Sequence, residues 1–428
     1  MKQIIAKWND TSLVLRIVVG LVIGLILALA VPGALVIIPL LGTLFVSALK
    51  AVAPILVFFL VIATMANAKT SGAMKMVVVL YIVSTLVAAI IAVIASFISP
   101  TTLTLALDGA QQTAPSGVGE VVKTLVMNIF TNPVTALMNG NFIGILAWAI
   151  ALGIALRVAS QETRDVFTNI SDAVSAVVRW IISLAPFGVM GLVYTSVSEN
   201  GLEIFYEYGH LIVVLVVSML IIALIANPIM AFIVMRKNPF PLVLRCLKDS
   251  GITAFFTRSS AANIPVNMEL CEKLGLDKSN YSLSIPLGAT INMAGAAVTI
   301  TVMAMAAATT MGIAVDPVTA VLLCVLAAIS ACGASGVPGG SLLLIPLACG
   351  LFGIGSDVAM QCVAIGLIIG VIQDSCETAL NSSSDVLFTA VADYAQKIKA
   401  GVEVFPGKDA VYEEAEVAAS AEAPADNA

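Results

Sequence analysis

Apolar positions in this chain do not alternate with polar ones; they run in blocks. Nearly charge-free blocks cover about 13–31, 35–66, 74–99, 124–157, 173–198 and 205–235, and roughly 20 apolar residues are what an α-helix needs to cross a bilayer. The second and fourth blocks exceed that length, which predicts tilting, kinking or protrusion. Asn132-Pro133 and Asn139-Gly140-Asn141 are natural break points inside the fourth. Lys2 and Lys7 followed by the apolar run from Leu13 to Val31 mimic an export signal. The run is longer than the apolar core of such signals, so a retained first span is expected. Residues 100–123 form a polar loop, and Gly117-Val118-Gly119 within it reads as linker.

The last third has a different rhythm. Between Lys248 and Lys273 the apolar stretch breaks over Thr257-Arg258-Ser259-Ser260-Ala261-Ala262-Asn263-Ile264-Pro265. Each arm holds about ten residues, half of a crossing, which predicts a hairpin that enters and leaves on one side. A second break at Gly333-Ala334-Ser335-Gly336-Val337-Pro338-Gly339-Gly340-Ser341 lies between apolar arms starting near Pro317 and ending near Gly350. A full span follows each hairpin, at about 281–310 and 356–392. Two such units of opposite orientation form an inverted repeat, and paired Gly/Pro-interrupted segments point to a transport site near the midplane. Irregular backbone survives at that depth only inside protein or beside water.

Composition agrees: 60% of residues are apolar, 11% are charged and mean hydropathy is +1.06, against about 25% charged in a soluble domain. A cytosolic enzyme, a nucleic-acid binder and a disulfide-stapled secreted domain are excluded, and long apolar blocks do not suit an outer-membrane barrel. The net charge of −6 is local: seven acids beyond Gly401 face Lys408, and the rest of the chain balances 19 bases with 19 acids. The 401–428 tail is expected to be disordered and cytoplasmic. A cytoplasmic N-terminus puts 17 of the 20 basic residues on the cytoplasmic side, with Lys123 outside and Lys50 and Arg258 in apolar segments. Both termini are therefore expected inside. The seven cysteines lack C-x-x-C spacing and read as free thiols. Lys50 reads as a snorkelling side chain, and Trp8, Trp148 and Trp180 as interface anchors.

Chemistry concentrates on the final helix. Asp374, Glu377, Thr378, Asn381 and Asp385 recur at offsets 0, 3, 4, 7 and 11, an arc of about 100° on an otherwise apolar helix. Each charge at mid-bilayer costs at least ~2.5 kcal/mol, so three acids need partners, and with few bases nearby the natural partners are exogenous cations. The preceding span carries Pro286, Gly288, Thr290, Asn292 and Gly295, which predicts unwinding and free carbonyls. Oxygen donors near Gly288, Thr290 and Asn292, beside the Asp385 carboxylate, suit a dehydrated Na⁺.

The Arg258-Ser259-Ser260 tip, Asn292-Met293-Ala294-Gly295-Ala296, the Gly336-Val337-Pro338-Gly339-Gly340 tip and the Asp374–Asp385 stripe together resemble the dicarboxylate/amino-acid:cation symporter family. The likeness is dense over 236–392 and holds in span pattern elsewhere. It implies an all-α membrane protein of eight transmembrane helices plus two re-entrant helical hairpins with inverted repeats, glutamate-transporter-like, assembled as a homotrimer in a bacterial inner membrane. Residues 1–235 would supply six spans. Spans 1, 2, 4 and 5 would be the scaffold, and spans 3 and 6 would join 236–400 as a mobile transport core. By the same resemblance Asp374 binds a substrate's α-ammonium, while Asn381, Ser259, Ser260 and the backbone N–H groups at Val337 and Gly339 cradle its α-carboxylate. Thr378 is a further binding-site residue. Gly288, Asn292, Asn381 and Asp385 match one sodium site; Thr290 with carbonyls near Ala331, Cys332 and Ala334 matches another.

Two departures narrow the expectation. Glu377 stands where acidic-substrate members place an arginine, and Ala296 replaces their nearby threonine, so glutamate and aspartate should be repelled. Ala294 replaces an aspartate of a further sodium site. The likeness points to members that import serine and threonine with sodium by elevator-type movement, without being enzymes. Other readings stay open: another neutral or a basic amino acid attracted by Glu377, proton coupling, or a structural Glu377, protonated or paired with Arg258. A cation channel and an intramembrane serine protease are remote. The second would need a histidine base for Gly333-Ala334-Ser335-Gly336, and His210 precedes that motif.

Overall fold

The computed structural model describes residues 11, 13–33, 36–67, 72–105, 123, 126–334 and 339–409. Within them every regular element is helical. Helices α1 (Leu13–Ala30), α2 (Ile37–Asn67) and α3 (Gly72–Ile98) occupy the first three apolar blocks. The fourth block is broken where its sequence suggested. Asn132 caps α4 (Pro133–Asn139), Gly140 leaves it with a left-handed φ of 62°, and Asn141 caps α5 (Phe142–Ala155).

The fifth block departs from the single span expected over 173–198. Helix α6 (Gln161–Ser183) starts twelve residues earlier and meets α7 (Ala185–Asn200) at a bend of 52°. Pro186 explains the break: it is tolerated in the first turn of α7 but would remove a hydrogen bond from a continuous helix. Helix α6 buries Ser171, Ser175, Val178 and Ile182, one helical face, so only part of it is lined with protein. Helix α7 packs on α1 and α2 through glycines. A Cβ at Gly24 would lie 2.5 Å from the Met190 carbonyl oxygen, and one at Gly191 would lie 2.4 Å from that of Ile38, so the backbones meet as small residues allow in membranes.

The sixth block is α8 (Ile204–Ile221) and α9 (Asn227–Met235), joined without interruption by a wide π-type turn at Ile222–Ala226. Hairpin 1 then rises through α10 (Phe240–Cys246), a second π-type turn at Leu247–Gly251, and α11 (Ile252–Thr257), and returns as α12 (Ser260–Lys273). Its tip is tighter than the break expected over 257–265: only Arg258 and Ser259 lie outside the helices, and Pro265 sits within α12. Ser259 makes this possible by capping α12, its Oγ accepting from the Ala262 N–H at 3.2 Å.

The seventh block is α13 (Lys278–Ile291) and α14 (Ala294–Thr310), parted only at Asn292-Met293. The unwinding anticipated over 286–296 is thus confined to two residues, and Pro286 is accommodated inside α13. Hairpin 2 has arms α15 (Pro317–Ala331) and a 3₁₀ turn (Gly340–Leu344) leading into α16 (Ile345–Leu351). Helix α17 (Ser356–Lys399) is 44 residues long and passes its expected end at 392. At 1.5 Å per residue it spans about 66 Å, more than a membrane's thickness, and most of its length is buried against both hairpins, α13 and α14.

Five helices are long and apolar enough to cross a membrane among the described residues, or six with the bent α6–α7 pair. Residues 402–409 pack against the start of hairpin 1, with a turn closed by the Lys408 N–H on the Phe405 carbonyl at 3.1 Å, and so depart from the disordered tail expected over 401–428. Val404 is buried, its carbonyl accepts from Lys237 Nζ at 3.1 Å, and Asp409 pairs with Arg245 at 3.0 Å. Residues 410–428, Trp8 and Lys50's side chain lie outside what is described. The seven cysteines are free thiols.

Candidate functional site

The site is built where α17 passes the break of the seventh span and the two hairpin tips. Asn292, held by its N–H to the Gly288 carbonyl at 2.9 Å, turns its amide into the core. Its Nδ2 donates to the Asn381 carbonyl (3.1 Å), Ser384 Oγ (2.7 Å) and Asp385 Oδ1 (2.9 Å). Asn292 and Asp385 are fully buried, yet Asp385 Oδ2 and Asn292 Oδ1 have no hydrogen-bond partner among the described residues. Buried acceptors without donors are costly, so these oxygens suit a ligand that brings positive charge or a donor. Gly288 permits the approach: a Cβ there would lie 2.5 Å from Asp385 Oδ1 and 2.8 Å from Tyr81 Oη. Tyr81 comes from α3, 304 positions away. Its hydroxyl bonds the Asp385 carbonyl at 3.1 Å and Thr389 Oγ1 at 3.2 Å.

Thr290 donates to the Leu287 carbonyl at 2.7 Å. Cys332 Sγ lies 3.5 Å from the Ile291 carbonyl, so the end of α15 reaches the helix break beside Thr290. The Ala331 carbonyl is engaged by the Ala334 N–H at 2.9 Å.

Asp374 does not stand unpaired as the shortage of bases suggested. Arg258 reaches it from the tip of hairpin 1, with Nε 2.7 Å from Oδ2 and both side chains buried. The arginine therefore pairs with Asp374 and not with Glu377. It sits at φ 52°, a left-handed conformation unusual for a side-chain-bearing residue. From hairpin 2, the Gly339 N–H donates to Asp374 Oδ1 at 3.2 Å. Gly339 adopts φ 71°, a glycine conformation. One carboxylate is thus touched by both hairpin tips. Thr378 donates to its own helix at the Asp374 carbonyl (2.7 Å). Asn381 Oδ1 accepts from the Gly295 N–H (2.7 Å), and its Nδ2 faces Met293 Sδ at 3.4 Å. Ser260 is buried at the start of α12, behind the capping Ser259. Val337 lies outside the described residues.

Sequence reading missed four participants. Tyr81 is one; Thr299, Ser341 and Gln373 surround Glu377, with their hydroxyls or amide on its Oε2 at 2.7, 2.8 and 2.5 Å. A signal existed only for Gln373, which stands four residues before Glu377 and so extends the polar stripe by one turn. His210 bonds Ser99 at 2.7 Å through Nε2.

Among the described residues the fold is all-helical, with Arg258 and Gly339 meeting on one buried carboxylate beside a broken helix with orphaned oxygens, an arrangement suited to a membrane-embedded transporter. Residues 13–395 match the profile of the sodium:dicarboxylate symporter family, and the chain belongs to it. Sodium is the co-transported ion of that family. The chain is 59% identical over 396 residues to the serine/threonine transporter SstT of Streptococcus agalactiae serotype III, covering 92% of this chain and 98% of that protein. It is 56% identical, with the same coverage, to the serine/threonine transporter SstT of Streptococcus thermophilus.

Proposed function

We propose that this chain imports serine and threonine by symport with Na⁺ across a bacterial inner membrane. Its eight spans and two re-entrant hairpins would have both termini in the cytoplasm and form a homotrimer. Spans 1, 2, 4 and 5 act as scaffold, and spans 3 and 6 with 236–400 move as an elevator. The observation that carries this reading is the combination of two buried oxygens without donors among the described residues, Asp385 Oδ2 and Asn292 Oδ1, with the clasped Asp374 carboxylate about three turns away on the same face of the same helix. The full-length similarity to serine/threonine transporters supports the choice of substrate.

Asp374 receives the α-ammonium. Two donors already touch it, but a carboxylate offers about four acceptor positions. Arg258 adds positive charge beside the place where the α-carboxylate meets Ser259, Ser260, Gly339, Val337 and the Asn381 amide, while Thr378 lines the site. Na⁺ is taken by Asp385, Asn292 and Asn381 with the Gly288 backbone, and a second ion by Thr290 with the end of α15. Glu377 repels acidic side chains and accepts a hydroxyl, whereas an arginine there would grip a carboxylate in bidentate fashion. The test is uptake of labelled serine into proteoliposomes against all twenty amino acids as competitors. Threonine should compete strongly and aspartate and glutamate should not; Glu377→Arg should shift the balance toward acidic competitors. Strong wild-type inhibition by aspartate would refute the repulsion, and dominance by lysine or arginine would make Glu377 a cation acceptor.

A further inference from the structure

Glu377 is the hub of a cluster drawn from three elements. Ser341 opens the second limb of hairpin 2, Thr299 lies on α14 and Gln373 is one turn back on α17; all three donate to the same oxygen, Oε2. Gln373 Nε2 also donates to Thr299 Oγ1 at 2.7 Å. Exposure is 0% for Thr299 and Gln373, 1% for Ser341 and 5% for Glu377. No cation pairs with Glu377 among the described residues, since Arg258 is on Asp374. The close approach of α14 depends on Gly295, where a Cβ would lie 2.8 Å from Glu377 Cα. The hydrogen bonds to this side chain all fall on Oε2; Oε1 receives none from the described residues.

We propose that Thr299, Ser341 and Gln373 are positioning residues that set side-chain specificity. They saturate one oxygen of Glu377 and present the other as the acceptor for a substrate hydroxyl, and Ser341 makes seating of hairpin 2 part of the same arrangement. This rests on the reading of Glu377 as facing the substrate side chain. A serine hydroxyl supplies the donor that Oε1 lacks. Alanine, with the same ammonium and carboxylate, leaves that oxygen buried and unpaired, which disfavours it. Discrimination between two substrates is a difference of affinities, so loosening the cluster lowers the affinity for serine while hardly touching alanine.

The experiment compares KM and Vmax for labelled serine and labelled alanine in Thr299→Val, Ser341→Ala and Gln373→Met, with Thr299→Ser and Ser341→Thr as hydroxyl-restoring variants. Losing one net hydrogen bond's worth of orientation raises the serine KM about tenfold. The alanine KM moves much less, Vmax changes little, and the restoring variants return toward wild type. Thermal unfolding in detergent confirms that each variant is folded. Equal losses for serine and alanine, or no change in either, overturn the proposal. If the wild type takes up no serine, it is the substrate reading that fails. The same variants are then assayed with whichever amino acid the wild type prefers, and an unchanged KM there overturns the cluster's role independently.

Discussion

Arg258 and Asp374 are 116 positions apart, yet their side chains form a buried ion pair. Taking two charges out of water is costly, and a buried pair adds little net stability. Removing one partner alone, however, strands the other at about 3–5 kcal/mol. Arg258→Gly keeps the left-handed backbone conformation comfortable and isolates the effect of the lost charge. It should lower the apparent melting temperature in detergent clearly. Arg258→Gly combined with Asp374→Asn should recover most of the loss, because an amide is less costly to bury. Equal melting of the single and double variants would show that the pair does not carry this energy. Nothing local in the sequence revealed the pairing: Arg258 stood out as a charge in an apolar stretch, and Asp374 as one acid of a stripe. Their meeting depends on a two-residue hairpin tip that neither motif specified.

At the scale of elements, the contact of α7 with α1 and α2 rests on glycine. A Cβ at Gly191 would meet Gly42 N at 2.5 Å, backbone against backbone, where no rotamer change gives relief. Gly191→Leu should therefore abolish recovery of folded, detergent-stable protein. A methyl group added at Gly209, inside α8, would meet nothing within 4 Å. There Gly→Ala should be neutral or stabilising by up to ~1 kcal/mol, since glycine is the weaker helix former. Size-exclusion recovery and melting of the two variants side by side check the contrast; equal tolerance would mean that these helices do not depend on the close approach. The apolar blocks and glycine-rich tips were legible because hydrocarbon thickness fixes span length. The π-type turns at Ile222–Ala226 and Leu247–Gly251 were not, because no residue type announces one. Their role is plain once the helices are packed. Ser250, inside the second turn, accepts from the Asn263 amide at its carbonyl (3.3 Å) and donates to Asn267 Oδ1 (2.5 Å). Asn263 and Asn267 also bond Ser382 Oγ at 2.8 and 3.0 Å, so hairpin 1 is stitched to α17.

For the whole molecule the question is whether the proposed ion and substrate sites on one helix let a sodium gradient do work. One Na⁺ entering with a neutral zwitterion gains ~2.3 kcal/mol per 100 mV, and a tenfold gradient adds ~1.4 kcal/mol. Their sum of ~3.7 kcal/mol supports roughly 500-fold accumulation, so useful uptake does not require the sodium site that Ala294 lacks. The stripe from Asp374 to Asp385 was readable from residue spacing, but which acid would be clasped and which left with an orphaned oxygen was decided by packing. Among the described residues the Asp385 side chain bonds only the Asn292 amide, which leaves Oδ2 without a donor. The most direct measurement is serine accumulation in proteoliposomes under an inward Na⁺ gradient, an inward proton gradient, or neither, for wild type and Asp385→Asn. Wild type should accumulate serine under the Na⁺ gradient alone, and Asp385→Asn should lose most of that dependence while remaining folded. Wild-type accumulation driven by the proton gradient and indifferent to Na⁺, or a Na⁺ dependence unchanged in Asp385→Asn, would contradict the account.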